Sequence, residues 1–188
     1  MIGAKPGATF ADARRRDILH LNSVKVLTRQ LAPKFPMFKA GQVLTSMCHL
    51  DTIAVVDVDS GKLVWAARGP WEAQHDPQFL DNGNLLLFDN RGSPTASRVV
   101  EYDPETQGFP GSYSGENTRP FLSKLRGMNQ RLPNGNTLIV NSDAGNILEV
   151  THDKEVVWSC STGGFITSGR RFSSEQLPFL KGGPHARP

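Results

Sequence analysis

A three-part unit recurs along this chain and constrains its fold more than any other feature. The first part joins an Asn-Gly turn to an apolar strand, and it occurs at 80–86 (LDNGNLL) and at 132–138 (LPNGNTL). A diverged copy, AGQVLT, begins at Ala40. Asn and Gly tolerate the positive φ that both positions of a two-residue hairpin turn need. The first part therefore predicts a β-hairpin in each copy.

Two further strand patterns follow the hairpin in a fixed order. The second part occurs at 53–58, 98–103 and 146–150, and the third, ending in Trp65 or Trp158, occurs at 62–65 and 155–158. With the hairpin they give four short strands over about 40–50 residues, the pattern of a β-propeller blade. Because both tryptophans take the same place in the unit, we predict that they are core residues rather than cofactor-stacking rings.

The repeats predict an all-β fold, a β-propeller of four-stranded antiparallel blades with about three blades present. The predicted organisation is an N-terminal tail at 1–17, a propeller region at 18–162 with blades at about 18–69, 74–117 and 124–161, and a C-terminal tail at 163–188. Because Phe172 and Phe179 are large apolar residues, they predict that part of the C-terminal tail packs against another part of the protein or a partner. Closed propellers have ~4–8 blades, so missing blades or self-association would be needed to complete the ring.

The composition narrows the classes of partner. The formal net charge is +3, and the cations are scattered apart from clusters at 14–16 and 170–171. Three arginines beside Asp17 are typical of a solvated terminus, so no nucleic-acid partner is predicted. No apolar run reaches the ~18 residues of a membrane helix, so no membrane partner is predicted.

The first residues of the chain bear on its cellular location, and its two cysteines bear on whether a disulfide forms. The first residues lack the apolar segment of a signal peptide, so the chain as given is expected in the cytoplasm. An upstream part would instead allow a periplasmic or secreted location. Cys48 and Cys160 show no metal-ligand spacing and are predicted to be small buried residues, while pairing between them stays open.

Three motifs in this order resemble the bacterial arylsulfotransferase (ASST) family, whose members have a propeller fold. They are LHLNS at 19–23, the hairpin from Gln74 to Asn90, and SRVVEY at 97–102. The resemblance covers about 17–160 and matches the later blades of a longer enzyme. It implies sulfuryl transfer from an aryl sulfate to a phenolic acceptor through a sulfated histidine in the central channel. No cofactor and no metal are implied or indicated by any fingerprint in the sequence.

The resemblance also implies a set of site residues. His20 matches the histidine of the family's H-x-N-S motif, and His75 matches the histidine that opens the next blade. The family has an arginine after the strand that ends in Phe-Asp-Asn, for which Arg91 is the nearest candidate and Arg98 the second. Asn22 and Asn90, from the same motifs, are the predicted substrate-binding residues; Asn90 is equally open to a strand-end role that satisfies backbone groups.

These residue types suit sulfuryl transfer. A neutral imidazole can act as the nucleophile, here His75, while a second histidine, here His20, protonates the leaving phenolate and later takes the acceptor's proton. The planar fork of Arg91 or Arg98 suits a sulfonate edge. Structural alternatives stay open: a strand-entry role for the histidines, an exposed loop position for Arg91, and ion pairs of Arg98 with Glu101 or Asp103.

The chain departs from the family pattern at the nucleophile. The family's nucleophilic histidine comes from a later blade, where this chain has Asn146, and Met128 stands at the blade-three position that corresponds to His75. A non-catalytic propeller that serves as a binding module is therefore the alternative prediction. A different enzyme on the same fold, such as a lyase or a hydrolase, is a third. His49 and His152 are predicted to be exposed.

Overall fold

A computed structural model describes residues 17–114 and 121–180. Several predictions fall outside these ranges: the N-terminal tail up to residue 16 with its arginine cluster, the end of the second blade at 115–117, and the second tail from 181 onward. In the described residues, no helix has both the length and the apolar character needed to cross a membrane.

In the described ranges, twelve strands form three four-stranded antiparallel sheets. Sheet 1 contains β1 (Leu21–Val26), β2 (Val43–Met47), β3 (Thr52–Asp57) and β4 (Lys62–Arg68). Sheet 2 contains β5 (His75–Phe79), β6 (Leu85–Asp89), β7 (Arg98–Tyr102) and β8 (Gly111–Ser114). Sheet 3 contains β9 (Met128–Arg131), β10 (Thr137–Asn141), β11 (Asn146–Val150) and β12 (Val156–Ser161). Each sheet follows chain order, which confirms the predicted blades and the all-β fold class. Short 3-10 helices lie at Ala32–Lys34, Cys48–Leu50 and Pro178–Leu180.

The repeated hairpin has a different turn from the one predicted. Leu80 N–H donates to Asn84 O, and Gly83 N–H donates to Leu80 O, so the loop has three residues rather than two. Gly83 has φ 89° and is the glycine in the left-handed region that such a loop requires, whereas Asn82 has no positive φ. Leu132 and Gly135 form the same loop in sheet 3. The hairpin prediction is confirmed, and the two-residue turn type is wrong.

The two asparagines of each hairpin bind a glutamate on the third strand. Asn82 and Asn84 both donate to Glu101 Oε1, at 2.7 Å each. Asn134 and Asn136 donate in the same way to Glu149 Oε1, at 3.2 and 2.7 Å. The repeated NGN motif therefore does more than turn the chain, because its side chains also fix β7 and β11 against their hairpins.

The sheets pack face to face around their first strands. β1, β5 and β9 are neighbours, as the innermost strands of propeller blades are. One core cluster lies between sheets 1 and 2 and includes Phe35, Trp71 and Leu87. A second lies between sheets 2 and 3 and includes Phe88 and Ile139. The strand that begins at His75 is therefore flanked on both sides by another blade.

The outward faces of the terminal sheets differ. On sheet 1, Val24, Val26 and Leu63 lie on the face turned away from sheet 2 and are 68%, 56% and 49% exposed; we call it the open face. On sheet 3 the corresponding face is covered by residues 166–172, here called the C-terminal segment. In it Arg171 exchanges two hydrogen bonds with the side chain of Gln130.

A repeated ion pair relates the C-terminal segment to a blade. Arg131 of β9 pairs with Glu101 of sheet 2 at 2.7 Å, and Arg171 pairs with Glu149, the equivalent residue of sheet 3. The Arg171 guanidinium also lies 4.9 Å from the centre of the Trp158 ring. The C-terminal segment therefore packs on sheet 3 in the same way as β9 packs on sheet 2.

Several side chains differ from their predicted burial. Trp65 packs against the first core cluster as predicted, but Trp158 is 42% exposed, since only the narrow C-terminal segment covers its face. Cys48 is buried, whereas Cys160 is exposed, and the two are not paired. Phe172 and Phe179 are 53% and 77% exposed, so the described contacts of the second tail come from other residues, among them Phe165, Gly169 and the two arginines.

Gly127 should be a sensitive test of the packing between sheets 2 and 3. A Cβ at this position would overlap the ring of Phe88, whereas a Cβ at Gly164 would meet nothing within 4 Å. We expect Gly127→Ala to lower the free energy of unfolding by about 1–3 kcal/mol. Gly164→Ala is the matched control and should change it little in urea unfolding; equal effects of the two would contradict this packing.

Candidate functional site

Asp76 joins three parts of the propeller at the inner strands. Its buried carboxylate pairs with Lys25 of β1 at 2.8 Å and with Arg170 of the C-terminal segment at 3.2 Å. It also accepts from the backbone N–H of Asn129 in β9 at 3.1 Å and from Gln78 Nε2 at 2.9 Å. One carboxylate therefore holds sheet 1, sheet 3 and the C-terminal segment against the strand that carries His75.

The backbone at Asp76 is unusual for a strand. Asp76 has φ 47°, and the pairing of β5 with β6 shifts register between His75 and Gln78, which is a β-bulge. Asp tolerates a positive φ better than most residues, and a bulge re-aims the side chains beside it. Because of the bulge, the Asp76 side chain points toward the other inner strands, while the His75 side chain points in a different direction.

His75 is held through one ring nitrogen. Its Nδ1 lies 2.8 Å from Asn90 Oδ1 and 3.0 Å from Ala73 O. The Asn90 amide donates from Nδ2 to the carbonyls of Ser123 and Arg126, at 2.7 and 2.8 Å, which turns its oxygen toward the imidazole. Both neighbours of Nδ1 are then acceptors, so Nδ1 carries the proton and Nε2 keeps the lone pair.

Burial favours the neutral form of the His75 imidazole. His75 is 9% exposed, and desolvation lowers its pKa below the usual 6.5, although the hydrogen bonds to Asn90 and Ala73 oppose that shift. The smaller charge effects oppose each other, since His20 lowers the pKa of His75 and Asp76 raises it. A neutral ring with a lone pair on Nε2 is the state that a nucleophilic histidine requires.

His20 stands just before β1 and is held by a carboxylate. Its Nδ1 lies 2.6 Å from Asp17 Oδ2, and its backbone N–H donates to Asp17 Oδ1 at 2.7 Å. Its ring stacks on His49, with centroids 4.7 Å apart. Asp17 directs the Nδ1 proton toward itself, so Nε2 of His20 is the nitrogen left for proton exchange. The side chain of His20 is 46% exposed.

The two candidate arginines occupy different environments. Arg91 is about half exposed and makes a 3.3 Å contact with Glu72. Arg98 donates from Nε to the buried Asp89 at 2.7 Å and from Nη2 to the Pro70 carbonyl at 2.8 Å. The carboxylate partner of Arg98 is therefore Asp89, and not Glu101 or Asp103, the ion pairs that the sequence left open. Burial raises the pKa of Asp89, and Arg98 opposes that rise.

The two candidate asparagines make hydrogen bonds that fix the backbone and the side chain next to the histidines. Asn22 donates from Nδ2 to the Gln74 carbonyl at 2.9 Å and so links β1 to the residue before His75. Its Oδ1 is buried and has no hydrogen-bond partner among the residues that the structure describes. Asn90 is fully buried, and its amide is occupied by His75 and two carbonyls. Its placement matches the strand-end role that the sequence left open.

In sheet 3, the equivalents of the site residues carry no histidine. Met128 opens β9 and pairs with Val140, just as His75 opens β5 and pairs with Phe88. Asn146 opens β11 at the same end of the sheet. The histidines of the described chain are thus confined, at this end, to sheets 1 and 2 and their connections; His152 is exposed on the turn after β11, as predicted.

Sequence reasoning missed Asp17, Asp76 and Arg170. The Asp-Pro step at 76–77, inside a pattern that reads as a strand, was a signal of irregular backbone at Asp76. Nothing local marks Arg170, because its partner lies 94 residues away in the chain. In the described ranges no group of three or more His, Cys, Asp or Glu side chains is arranged to hold a metal ion.

Three blades around inner strands, with histidines at one end of adjacent blades, define a partial β-propeller with a candidate site at its channel. The model of the arylsulfotransferase (ASST) family matches residues 5–163. The chain therefore belongs to the arylsulfotransferase family, which confirms the resemblance drawn from its motifs. No curated protein matches the chain.

Solved structures show the same architecture at low sequence identity. A protein of unknown function from Bacteroides caccae is 17% identical with a TM-score of 0.51, covering 77% of this chain and 47% of its own. The WD40 β-propeller domain of Doa1 is 15% identical with a TM-score of 0.52, covering 75% and 40%. Virginiamycin B lyase from Staphylococcus aureus is 12% identical with a TM-score of 0.52, covering 78% and 43%. The chain thus spans less than half the length of these propellers.

Asp76 should contribute strongly to stability. Asp76→Asn keeps a residue that tolerates the positive φ but leaves Lys25 and Arg170 without their counter-charge. Both cations are about one-quarter exposed, so we expect the free energy of unfolding to fall by about 2–3 kcal/mol. Asp59→Asn, in an exposed turn, is the control, and a loss no larger than the control's in urea unfolding would contradict the role of Asp76.

The tautomer and the pKa of His75 can be measured directly. We expect ¹⁵N NMR to show a proton on Nδ1 and none on Nε2 at neutral pH, because both neighbours of Nδ1 are acceptors. The titration should give a pKa below that of a histidine in an unstructured peptide, because burial disfavours the imidazolium. A proton on Nε2, or a pKa above the peptide's, would refute the arrangement.

Proposed function

We propose that this chain transfers a sulfuryl group from an aryl sulfate to a phenolic acceptor, with His75 as the nucleophile. Family membership supports this class of reaction. The observation that carries the assignment is the pair of acceptors at Nδ1 of a buried imidazole, which leaves the lone pair on Nε2. Because the pKa of His75 is lowered by burial, the reactive neutral form persists below the pH at which an ordinary histidine is protonated.

In the first half of the reaction, Nε2 of His75 attacks the sulfur of the aryl sulfate. The N–S bond forms as the S–O bond to the aryl group breaks, and the phenolate leaves with that electron pair. His20, as the imidazolium, gives its Nε2 proton to the phenolate oxygen. The Asp17 carboxylate at 2.6 Å stabilises that imidazolium and keeps the ring oriented.

In the second half, the acceptor phenol takes the place of the first product. His20, now neutral, removes the phenolic proton while the phenol oxygen attacks the sulfur of the sulfated His75. The N–S bond breaks, its electron pair returns to Nε2, and His20 ends as the imidazolium that the next cycle needs. Both steps therefore conserve charge and protons without any further reactant.

Arg91 is the better supported of the two predicted sulfonate clamps. Its guanidinium is half exposed beside the residues that lead into β5, and a 3.3 Å contact with Glu72 leaves most of its donors available. Arg98 already neutralises the buried Asp89. A cation that contacts the sulfonate oxygens offsets the charge that builds on them during transfer.

The alternative is a non-catalytic binding module, and the open face of sheet 1 favours it. Its exposed valines and leucine are the kind of surface that a propeller normally covers with the next blade. The absence of a histidine at 128 and 146 in the sequence also suits this alternative. A further blade or a second copy of the chain would be the partner, and the activity test separates the two functions.

The activity test uses the purified chain, an aryl sulfate that releases a coloured phenol, and a phenolic acceptor. We expect acceptor-dependent colour release and a transient mass gain of one sulfuryl group on the protein. His75→Asn should abolish both, because an amide lacks the nucleophilic lone pair, while His152→Asn, on an exposed turn, should change neither.

Two results would overturn the assignment. Retention of the sulfuryl adduct in His75→Asn would place the nucleophile elsewhere. A folded chain with no release and no adduct would leave the binding module as its function. Circular dichroism of each variant keeps loss of fold apart from loss of chemistry.

A further inference from the structure

A cleft between sheets 2 and 3 lies at the end of the strands remote from His75. It has a volume of about 310 Å³ and is bounded by Glu101 and Tyr113 of sheet 2 and by Arg131 and the turn at Lys154 of sheet 3. His75 opens β5, whereas Arg131 ends β9 and Glu101 lies near the end of β7. The cleft is therefore separate from the candidate active site, and its volume suits a small organic ligand.

The charged groups of the cleft leave a positive balance. Glu101 is already satisfied, since Asn82 and Asn84 donate to one carboxylate oxygen and Arg131 pairs with the other at 2.7 Å. Burial raises the pKa of Glu101, but these donors outweigh it and the pKa falls below the usual value, so the carboxylate is ionised. Beside this one carboxylate, the lining contains two cations, Arg131 and Lys154, and also His152.

Arg131 has a donor without a partner. Its Nη2 pairs with Glu101, and its Nε is buried without a hydrogen-bond partner among the described residues. The side chain as a whole is about one-quarter exposed, so an anionic ligand in the cleft would meet the rest of the guanidinium rather than the buried Nε. The wall of the cleft therefore suits an anionic ligand group rather than a cationic one.

The remaining lining is aromatic and hydroxylic. Phe109 and Tyr113 both line the cleft; Tyr113 is buried and stacks on Phe121, whereas Phe109 is 45% exposed, so a flat apolar ring would cover Phe109 surface that water now contacts. Thr137 and Thr151 add hydroxyl groups that can donate to an anion. Aromatic walls beside cations are complementary to a ring that carries a negative group.

We propose that this cleft binds a small aromatic anion, with a carboxylate or sulfonate group toward Arg131 and Lys154 and the ring against Phe109 and Tyr113. The site is separate from His75 and is independent of sulfuryl transfer. It gives the chain a second ligand site, formed only where sheets 2 and 3 meet.

The test is an NMR titration of the ¹⁵N-labelled chain with benzoate, benzenesulfonate and the neutral benzamide. We expect either anion to shift the amides of Gly111 and Gly135, which line the cleft, in a saturable one-to-one manner. Benzamide should bind about tenfold more weakly, because it lacks the charge that meets the cations. The two anions also show whether the site prefers the carboxylate or the sulfonate group.

Variants separate the cleft from the candidate active site. Lys154→Met should weaken the anions about tenfold without a similar effect on benzamide, and Phe109→Ala should weaken all three ligands. Lys62→Met, on sheet 1, is the matched charge control, and His75→Asn should leave binding unchanged. Equal affinity for benzoate and benzamide, or shifts at His75 without shifts at Gly111 and Gly135, would overturn the proposal.

Discussion

The arrangement of the inner strands depends on the buried carboxylate of Asp76. A carboxylate removed from water is costly unless cations and N–H groups replace its hydration. Here Lys25, Arg170 and Asn129 supply them, from sheet 1, the C-terminal segment and sheet 3. The need to satisfy one charge thus brings three separate parts of the chain to the same point. His75, the preceding residue, takes its position from that junction.

The pairing of buried charges also explains how three blades form an ordered structure. Sheet 3 is joined on each of its two faces by an Arg–Glu pair, Arg131 with Glu101 on one side and Arg171 with Glu149 on the other. The second of these uses the C-terminal segment in place of a blade, so sheet 3 is covered without a fourth sheet. Sheet 1 has no such cover in the described residues, and its valines are exposed. The candidate site residues come from sheets 1 and 2, and the 123–126 connection binds Asn90.

Agreement between sequence and structure is best where the cause is local. β7 lies within the strand pattern at 98–103, and both NGN motifs form hairpins, because turn residues and alternating side chains act over a few residues. Trp158 and Cys160 are exposed because their burial required a further sheet that the repeat pattern could not guarantee. Arg98 binds Asp89 because the two residues pair directly across β6 and β7, a register that spacing alone left open.

By itself, the sequence determined the class of fold and the order of its strands, and its motifs predicted His20 and His75 as site residues. These depend on the repeat period, the turn residues and the family motifs, all of which are local features of the sequence. Only the tertiary structure decided that Nδ1 of His75 faces two acceptors, that Asp17 holds His20, and that Arg170 reaches Asp76. The reason is physical: the state of a buried polar group is set by the neighbours that replace its water, and most of those neighbours are distant in sequence.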